Sequence, residues 1–205
     1  ITIGDHQLER TGEQEVADDP VRLYLHEIGK RQLLTAKDER VLARKIEAAA
    51  YIKGIEQRYL QRYGKQPTGA EVMLAMLKEI GQSAPIIKLL QEHLALTKTD
   101  NFKKAICDPK LLGSIEGVSD QQLLQSIAEK INKPVLDTAQ LLVSLSLSCE
   151  LLPAEVLKSI GEREKLSDID NMLAKETLVE AIQAHEKQIK TSLDNIQREA
   201  DKAAR

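Results

Sequence analysis

The part of the sequence that decides the first element of the fold reads Asp18-Asp19-Pro20-Val21-Arg22-Leu23-Tyr24-Leu25-His26-Glu27-Ile28-Gly29. Asp19 is suited to cap the start of a helix, and Pro20 is suited to the first helical position. Gly29 can adopt the left-handed conformation that commonly follows the last residue of a helix. These three residues predict a short helix with a defined start and a defined end.

The side chains of this predicted helix fall on two faces. The apolar face carries residues at helical spacing, namely Val21, Tyr24, Leu25 and Ile28. The opposite face carries Arg22 and His26, which lie one turn apart. The chain continues as Lys30-Arg31-Gln32-Leu33-Leu34-Thr35, and Thr35-Ala36-Lys37-Asp38 has the spacing of a capping box. A second helix should therefore begin at Ala36.

The composition of the whole chain favours helices packed into a bundle. Of its 205 residues, 42% are hydrophobic and 30% are charged, as in soluble globular proteins that bury a core. Aromatic residues make up only 2%, so leucine, isoleucine and alanine must fill the core. No apolar run approaches the roughly 18 residues that a membrane helix needs. We expect an all-α, multi-helix bundle, cytoplasmic and without a membrane partner.

The charge is distributed unevenly along the chain. Residues 1–19 hold one arginine against six acidic residues, and residues 20–63 hold ten lysines and arginines against five acidic residues. A basic segment of this kind suits a nucleic-acid partner, and a solvated helix face would explain it as well. The polar, acidic residues 1–17 are predicted to form a flexible leader.

Turn and capping signals divide the remaining sequence into further helices. The helix from Ala36 should run to about Tyr63, and the Gly54 inside it suggests the close approach of another helix. Later helices should begin at further capping and proline signals, namely Thr68, Ser83, Ser119, Pro134 and Pro153. Residues 141–151 also alternate with a period of two. We prefer a helix there because no partner strand is visible elsewhere in the sequence.

The last part of the chain predicts one long helix. Ser167 is expected to cap it, and it should continue towards Arg205. Its apolar residues follow a coiled-coil spacing, namely Ile182, Ile189, Leu193, Ile196, Ala200 and Ala203. Such a seam needs a partner, and the helix over residues 36–63 is the expected one.

Catalytic and metal-binding signals are weak. The four histidines are scattered, and no phosphate-binding loop or nucleophile triad is evident. His93 is interpreted as a structural histidine, and Cys107 and Cys149 as buried small hydrophobic residues in a reducing compartment. The acidic residues at 162–170 suit a solvated helix start better than a metal site. We expect no enzyme activity, cofactor, metal or small-molecule substrate.

The motif Asp-Pro-Val-Arg-x-Tyr-Leu-x-Glu-Ile-Gly at residues 19–29, followed by Leu-Leu-Thr and a basic helix, resembles conserved region 1.2 of bacterial primary sigma factors. These are the promoter-recognition subunits of RNA polymerase. The resemblance runs from about residue 18 to residue 47. The melting motifs of region 2 are not found, and the chain has no tryptophan. The resemblance thus implies a fragment that lacks the promoter-melting helices.

The resemblance also implies an organisation for the rest of the chain. Residues 18–50 would be the helices of region 1.2, and residues 51–180 would be the helical insertion called the nonconserved region. Residues 181–205 would form a helix leading towards region 2.1. The implied partners are the RNA polymerase core and promoter DNA.

By position in the motif, Arg22, Tyr24, Leu25 and His26 match family residues that approach the non-template strand of the promoter discriminator. Contacts there would support the stability of the open complex. His26 stands where an arginine, lysine or glutamine is expected, and a histidine is mostly uncharged at neutral pH. Lys30 and Arg31 are candidate phosphate contacts, although a solvated turn explains them equally well.

A second basic cluster consists of Lys37, Arg40, Arg44 and Lys45. It could follow a phosphate backbone. Alternatively, its members could pair along the helix with nearby acidic residues, namely Asp38, Glu39 and Glu47.

Two other interpretations of the whole chain remain open. One is a free-standing helical protein-interaction module, such as an adaptor or an anti-sigma-like protein. The other is an alternative sigma factor of the same family.

Overall fold

The computed structural model describes Val21, Tyr24, His26 and Gly29 individually, and residues 34–116 and 120–204. These residues belong to two compact units, which divide between Arg40 and Val41.

The described residues form α-helices connected by short turns. Their bounds are α1 Ala36–Tyr63, α2 Gly69–Gln82, α3 Ala84–His93, α4 Phe102–Ile106, α5 Pro109–Ile115, α6 Gln121–Ile131, α7 Val135–Leu151, α8 Ala154–Ser159, α9 Ile169–Leu173, α10 Glu176–Ala184 and α11 Glu186–Ala203. A single 3₁₀ turn precedes α9 at Leu166–Asp168, and one isolated bridge pairs Asn101 with Lys165. No strand occurs within the described ranges, so the all-α prediction is confirmed.

The first unit contains the start of the basic helix. Thr35 and Asp38 form the predicted capping box, because the Thr35 N–H donates to Asp38 Oδ2 at 3.0 Å and the Asp38 N–H donates to Thr35 Oγ1 at 3.2 Å. Hydrogen bonds from the Thr35 side chain and backbone lower the pKa of Asp38. The predicted first helix is represented by four residues, all helical. Gly29 is one of them, so its predicted left-handed position after the helix is wrong.

The second unit is arranged around α2. This helix buries an apolar face and packs against α7, α9, α10 and α11. Its largest buried side chains are Val72, Met73, Met76, Leu77 and Ile80. The predicted turn before it is confirmed, since Gly64 has a φ of +70° and Thr68 and Glu71 complete a capping box. α2 is therefore a core helix with a locally encoded start.

The segment with period-two alternation is helical. α7 covers it, and small polar residues as well as leucines are buried, as for Ser146 and Ser148. Ser148 Oγ donates to the Ser144 carbonyl at 2.7 Å, so its hydroxyl is satisfied within the helix. A helix buried on several sides does not need a single apolar face. Its sequence can therefore show the period-two alternation that is typical of a strand.

The prediction of one long helix from Ser167 is wrong. The chain turns between α9 and α10, and again at His185 between α10 and α11. Ser167 does not cap a helix, because its hydroxyl donates to the Asp100 side chain and Leu166 N–H donates to the Asp100 carbonyl at 2.7 Å. Both α10 and α11 pack against α2, and the break at His185 lets α10 pack against α8 and α9 as well.

The coiled-coil seam of the last helix has a different main partner from the one predicted. α11 packs on α2, where Ile189 lies against Gly69. Its contact with α1 is an ion pair between Lys45 and Glu199 at 3.0 Å. The seam thus serves a packed bundle of several helices.

Three single-residue interpretations are also corrected, those of Gly54, His93 and Cys107. A side chain at Gly54 would meet only Arg58 of the same helix among the described atoms, whereas one at Gly81 would overlap Ile169. The close helix approach is therefore at Gly81. His93 and Cys107 are exposed.

Cys149, which was predicted to be buried, is partly buried. Its thiol lies in a largely buried environment, and this burial, followed by the influence of Cys107, raises its pKa to about 12. Such a thiol stays protonated near neutral pH and is a poor nucleophile.

Candidate nucleic-acid interface

Two of the four principal predicted DNA contacts, Tyr24 and His26, are described by the structure. Both are helical and exposed, and the Tyr24 side chain has 62% of its surface open. Residues two positions apart in an α-helix are rotated by about 200°, so Tyr24 and His26 point from different faces. An exposed tyrosine ring can stack on an unpaired base, and an imidazole can donate to a phosphate or base edge. The two residues would therefore contact different parts of a nucleic acid.

The other predicted contacts are Arg22, Leu25, Lys30 and Arg31. They lie outside the described residues, so their positions remain predictions from the sequence.

The second basic cluster is divided by its contacts. Lys37 and Arg40 are exposed and make no ion pair within the described ranges. Arg40 Nε donates to the Ala36 carbonyl at 3.2 Å, a local bond that leaves the rest of its guanidinium open. These two cations are the members of the cluster that remain available to a phosphate.

Arg44 and Lys45 have structural partners instead. Arg44 Nη2 donates to Ser146 Oγ at 2.6 Å and forms an ion pair with Glu150 at 2.8 Å, both on α7. Lys45 pairs with Glu199 of α11. The predicted pairing along the helix is limited to Arg44 and Glu47, whose charged atoms are 3.6 Å apart. Long-range partners, which sequence spacing does not reveal, therefore engage half of the cluster.

Within the second unit, a polar network joins the middle of α1 to α2 and α7. The Tyr51 hydroxyl donates to Glu79 and lies 2.6 Å from the Ser148 hydroxyl. Burial first, and the Glu79 charge second, raise the pKa of Tyr51 far above its ordinary value. The phenol therefore remains neutral and acts as a donor to Glu79.

No group of histidine, cysteine and acidic residues with the geometry of a metal site occurs in the described part of the chain. Two of the acidic residues near 162–170 instead form ion pairs, Glu162 with Lys103 and Glu164 with Lys175. No described helix is both long enough and apolar enough to span a membrane.

The exposed pair Tyr24 and His26, the Thr35 capping box and the first turns of α1 all fall in one short stretch of sequence. Residues 19–49 match the family model for sigma-70 factor, region 1.2. The match supports a place in the sigma-70 family, whose members act in transcription initiation with RNA polymerase and promoter DNA. Searches of curated proteins and of solved structures gave no significant match.

The segment that matches the family model thus has two kinds of residue. Tyr24, His26, Lys37 and Arg40 are open to a partner. Arg44 is engaged in holding α1 to its own bundle. Among the described residues of the segment, those of the first kind are the candidates for a DNA contact.

Proposed function

We propose that the chain is the part of a primary sigma factor that contains region 1.2 and the helical nonconserved region. In this proposal, region 1.2 contacts the non-template strand of the promoter discriminator and stabilises the open complex formed with RNA polymerase core in the cytoplasm. Residues 51–180 are the insertion, and residues 181–205 lead towards region 2.1. The observation that carries the proposal is the region 1.2 match at residues 19–49, within which Tyr24 is exposed.

Tyr24 and His26 have different parts in this proposal. The open ring of Tyr24 stacks on a base of the melted strand, a contact typically worth about 1–3 kcal/mol. His26, on another face of the helix, contacts a phosphate or a base edge. Lys37 and Arg40 add charge that attracts the backbone and whose effect weakens as salt rises.

The test uses the sigma factor that carries this segment, assembled with its core polymerase. Tyr24→Ala should shorten the lifetime of the open complex about fivefold or more, because the stacking contact is lost. Tyr63→Ala is the matched control, since Tyr63 is also an exposed tyrosine (56%) but lies outside the matched segment. It should leave the lifetime within about twofold of the unmodified value.

Abasic sites in the non-template discriminator give the decisive comparison. If Tyr24 stacks on one of these bases, removing that base should shorten the lifetime for the unmodified protein and have little further effect on Tyr24→Ala. Strictly additive effects, or equal lifetimes for Tyr24→Ala and Tyr63→Ala, would remove Tyr24 from the interface. Such a result would favour the helical interaction module.

A further inference from the structure

An open groove lies between the C-terminal half of α1 and the exposed side of α2, with α9 at one edge. Its volume is about 460 Å³. The floor is aliphatic and formed by Ile55, Leu74, Ala75 and Leu173. Leu74, Ala75 and Leu173 are only half-buried, so apolar surface remains open within the groove.

Two tyrosines of α1 form an ordered wall of this groove. The ring centroids of Tyr59 and Tyr63 are 4.5 Å apart, and the rings are tilted by 41°. The Tyr59 hydroxyl donates to Glu71, which fixes that ring against α2. The Arg62 guanidinium lies 5.5 Å from the centre of the Tyr63 ring. The wall is therefore held in place before any partner arrives, which lowers the entropy cost of binding.

The acidic residues of the groove are already neutralised by internal partners. Glu79 forms an ion pair with Arg58 and accepts a hydrogen bond from Tyr51. Glu71 forms an ion pair with Lys65 at 3.0 Å and completes the capping box at the start of α2. Neither carboxylate is available to compensate another cation at the rim.

Two cations at the rim have no such partner. Arg62 and Lys78 line the groove from opposite helices, both are exposed, and neither joins an ion pair in the ranges described. The rim thus carries uncompensated positive charge above an aliphatic floor. A partner complementary to both features must combine carboxylates with an apolar side chain.

We propose that this groove binds an acidic peptide segment of another protein, in which aspartate or glutamate flanks a leucine or phenylalanine anchor. The anchor side chain fills the aliphatic floor beside Tyr59 and Tyr63. The flanking carboxylates pair with Arg62 and Lys78. This surface lies outside the region 1.2 segment, so the proposal stands independently of the DNA contact.

A peptide suits the groove better than a nucleic-acid strand does. Bases stack on aromatic faces, but most of the floor here is aliphatic. A phosphate backbone also has no apolar side chain that could cover the floor formed by Ile55, Leu74 and Ala75. A peptide can place its apolar side chain over the floor and hold its carboxylates at the rim.

The probe is a phage-displayed library of short random peptides, selected on the 205-residue chain. Selected peptides should be acidic and contain a leucine or phenylalanine. Synthetic fluorescein-labelled copies are then titrated by fluorescence anisotropy. The double variant Arg62→Glu with Lys78→Glu should weaken binding about tenfold or more, because two attractive charges become repulsive. Lys53→Glu, an exposed change on α1 outside the groove, should alter affinity by less than about twofold.

A second variant tests the floor without altering charge. Ala75→Leu places extra volume in the groove and should abolish binding of the anchor, while circular dichroism checks that the helices are retained. The proposal is overturned if the selected peptides are neutral or basic, or if their affinity is the same for the double variant and for Lys53→Glu. It is also overturned if an oligothymidylate probe binds with the same dependence on Arg62 and Lys78 and the peptides do not.

Discussion

Gly69 and Glu186 are joined by a hydrogen bond of 2.7 Å although 117 residues separate them in the sequence. The Gly69 N–H donates to one carboxylate oxygen of Glu186, and the Ala70 N–H donates to the other at 2.6 Å. N–H groups in the first turn of a helix have no partner within the helix, and the helix dipole favours a negative charge there. Glu186 of α11 therefore caps α2 through the tertiary fold.

This relationship also explains the glycine at position 69. A Cβ atom there would lie 3.0 Å from Ile189 Cγ2 and 3.2 Å from Glu186 Oε1. These distances are shorter than most Cβ contacts, so a side chain at position 69 would require α11 or its side chains to shift by a few tenths of an ångström.

Glu186→Gln should reduce the free energy of unfolding by about 1–2 kcal/mol, because the neutral amide makes a weaker hydrogen bond and turns its NH₂ group towards one of the two N–H donors. Urea unfolding followed by the helical circular dichroism signal measures this. Glu176→Gln, at an exposed glutamate in the first turn of α10, is the control and should change stability by less than about 0.5 kcal/mol. Equal stability of the two variants would contradict the proposed cap.

Gly81→Ala should destabilise the protein by about 2 kcal/mol or more, because the added methyl group would overlap the Ile169 side chain and force α2 and α9 apart. Gly54→Ala makes the same change inside α1, where the nearest described atom is Arg58 Nη1 at 3.6 Å. It should leave stability unchanged or raise it by about 0.5–1 kcal/mol, because alanine favours the helix. Thermal unfolding of both variants measures the contrast, and a stabilising Gly81→Ala would show that the close packing is absent.

Glu71 should make unfolding depend on pH in the acidic range. Burial alone would raise its pKa, but hydrogen bonds from Tyr59, the Thr68 N–H and Lys65 outweigh this and hold the pKa at about 2, against an ordinary value of 4.5. A lowered pKa in the folded state gives stability that is complete above pH 4.5 and is lost as the pH falls towards 2. Glu71→Gln should remove about 1–2 kcal/mol at neutral pH, because solvent screens part of these interactions.

The measurement for Glu71 is a series of urea unfolding curves between neutral and acidic pH. The difference in stability between Glu71→Gln and the unmodified protein should shrink as the pH falls from 4.5 towards 2. Glu180→Gln, at an exposed residue of α10, should show only a small difference throughout. A difference for Glu71→Gln that stays constant with pH would contradict the lowered pKa.

His26→Arg should lengthen the lifetime of the promoter open complex about twofold or more, because a guanidinium is always charged and can donate two hydrogen bonds to one phosphate. His93→Arg, at an exposed histidine of α3, is the control and should leave the lifetime within about twofold of the unmodified value. Equal lifetimes for the two variants would indicate that His26 does not contact DNA.

Much of the fold could be predicted from local sequence because the signals act over three or four residues. The Thr35 and Thr68 capping boxes both form as predicted. These features fixed the starts of α1 and α2. The exposure of Tyr24 agrees with its predicted role at an interface, but its DNA contact remains a prediction.

The predictions that were wrong share a different physical cause, because they depend on contacts between residues that are distant in the sequence. Nothing near His185 in the sequence, neither glycine nor proline, marks the end of α10. The turn there depends on tertiary packing, since α10 and α11 both pack against α2 and α10 also packs against α8 and α9. In the same way, the spacing of charges along α1 predicted the pairing of Arg44 with Glu47 but could not show that Arg44 also pairs with Glu150 of α7.

The sequence by itself determined the helical class, the capped helix starts and the region 1.2 motif, because these depend on backbone bonds and residue order within a few turns. Only the tertiary structure decided which glycines permit close packing, which cations stay exposed, and that Glu186 caps the start of α2. These features depend on contacts between side chains of different helices. Such contacts are set by the packing of whole helices, which no short stretch of sequence specifies.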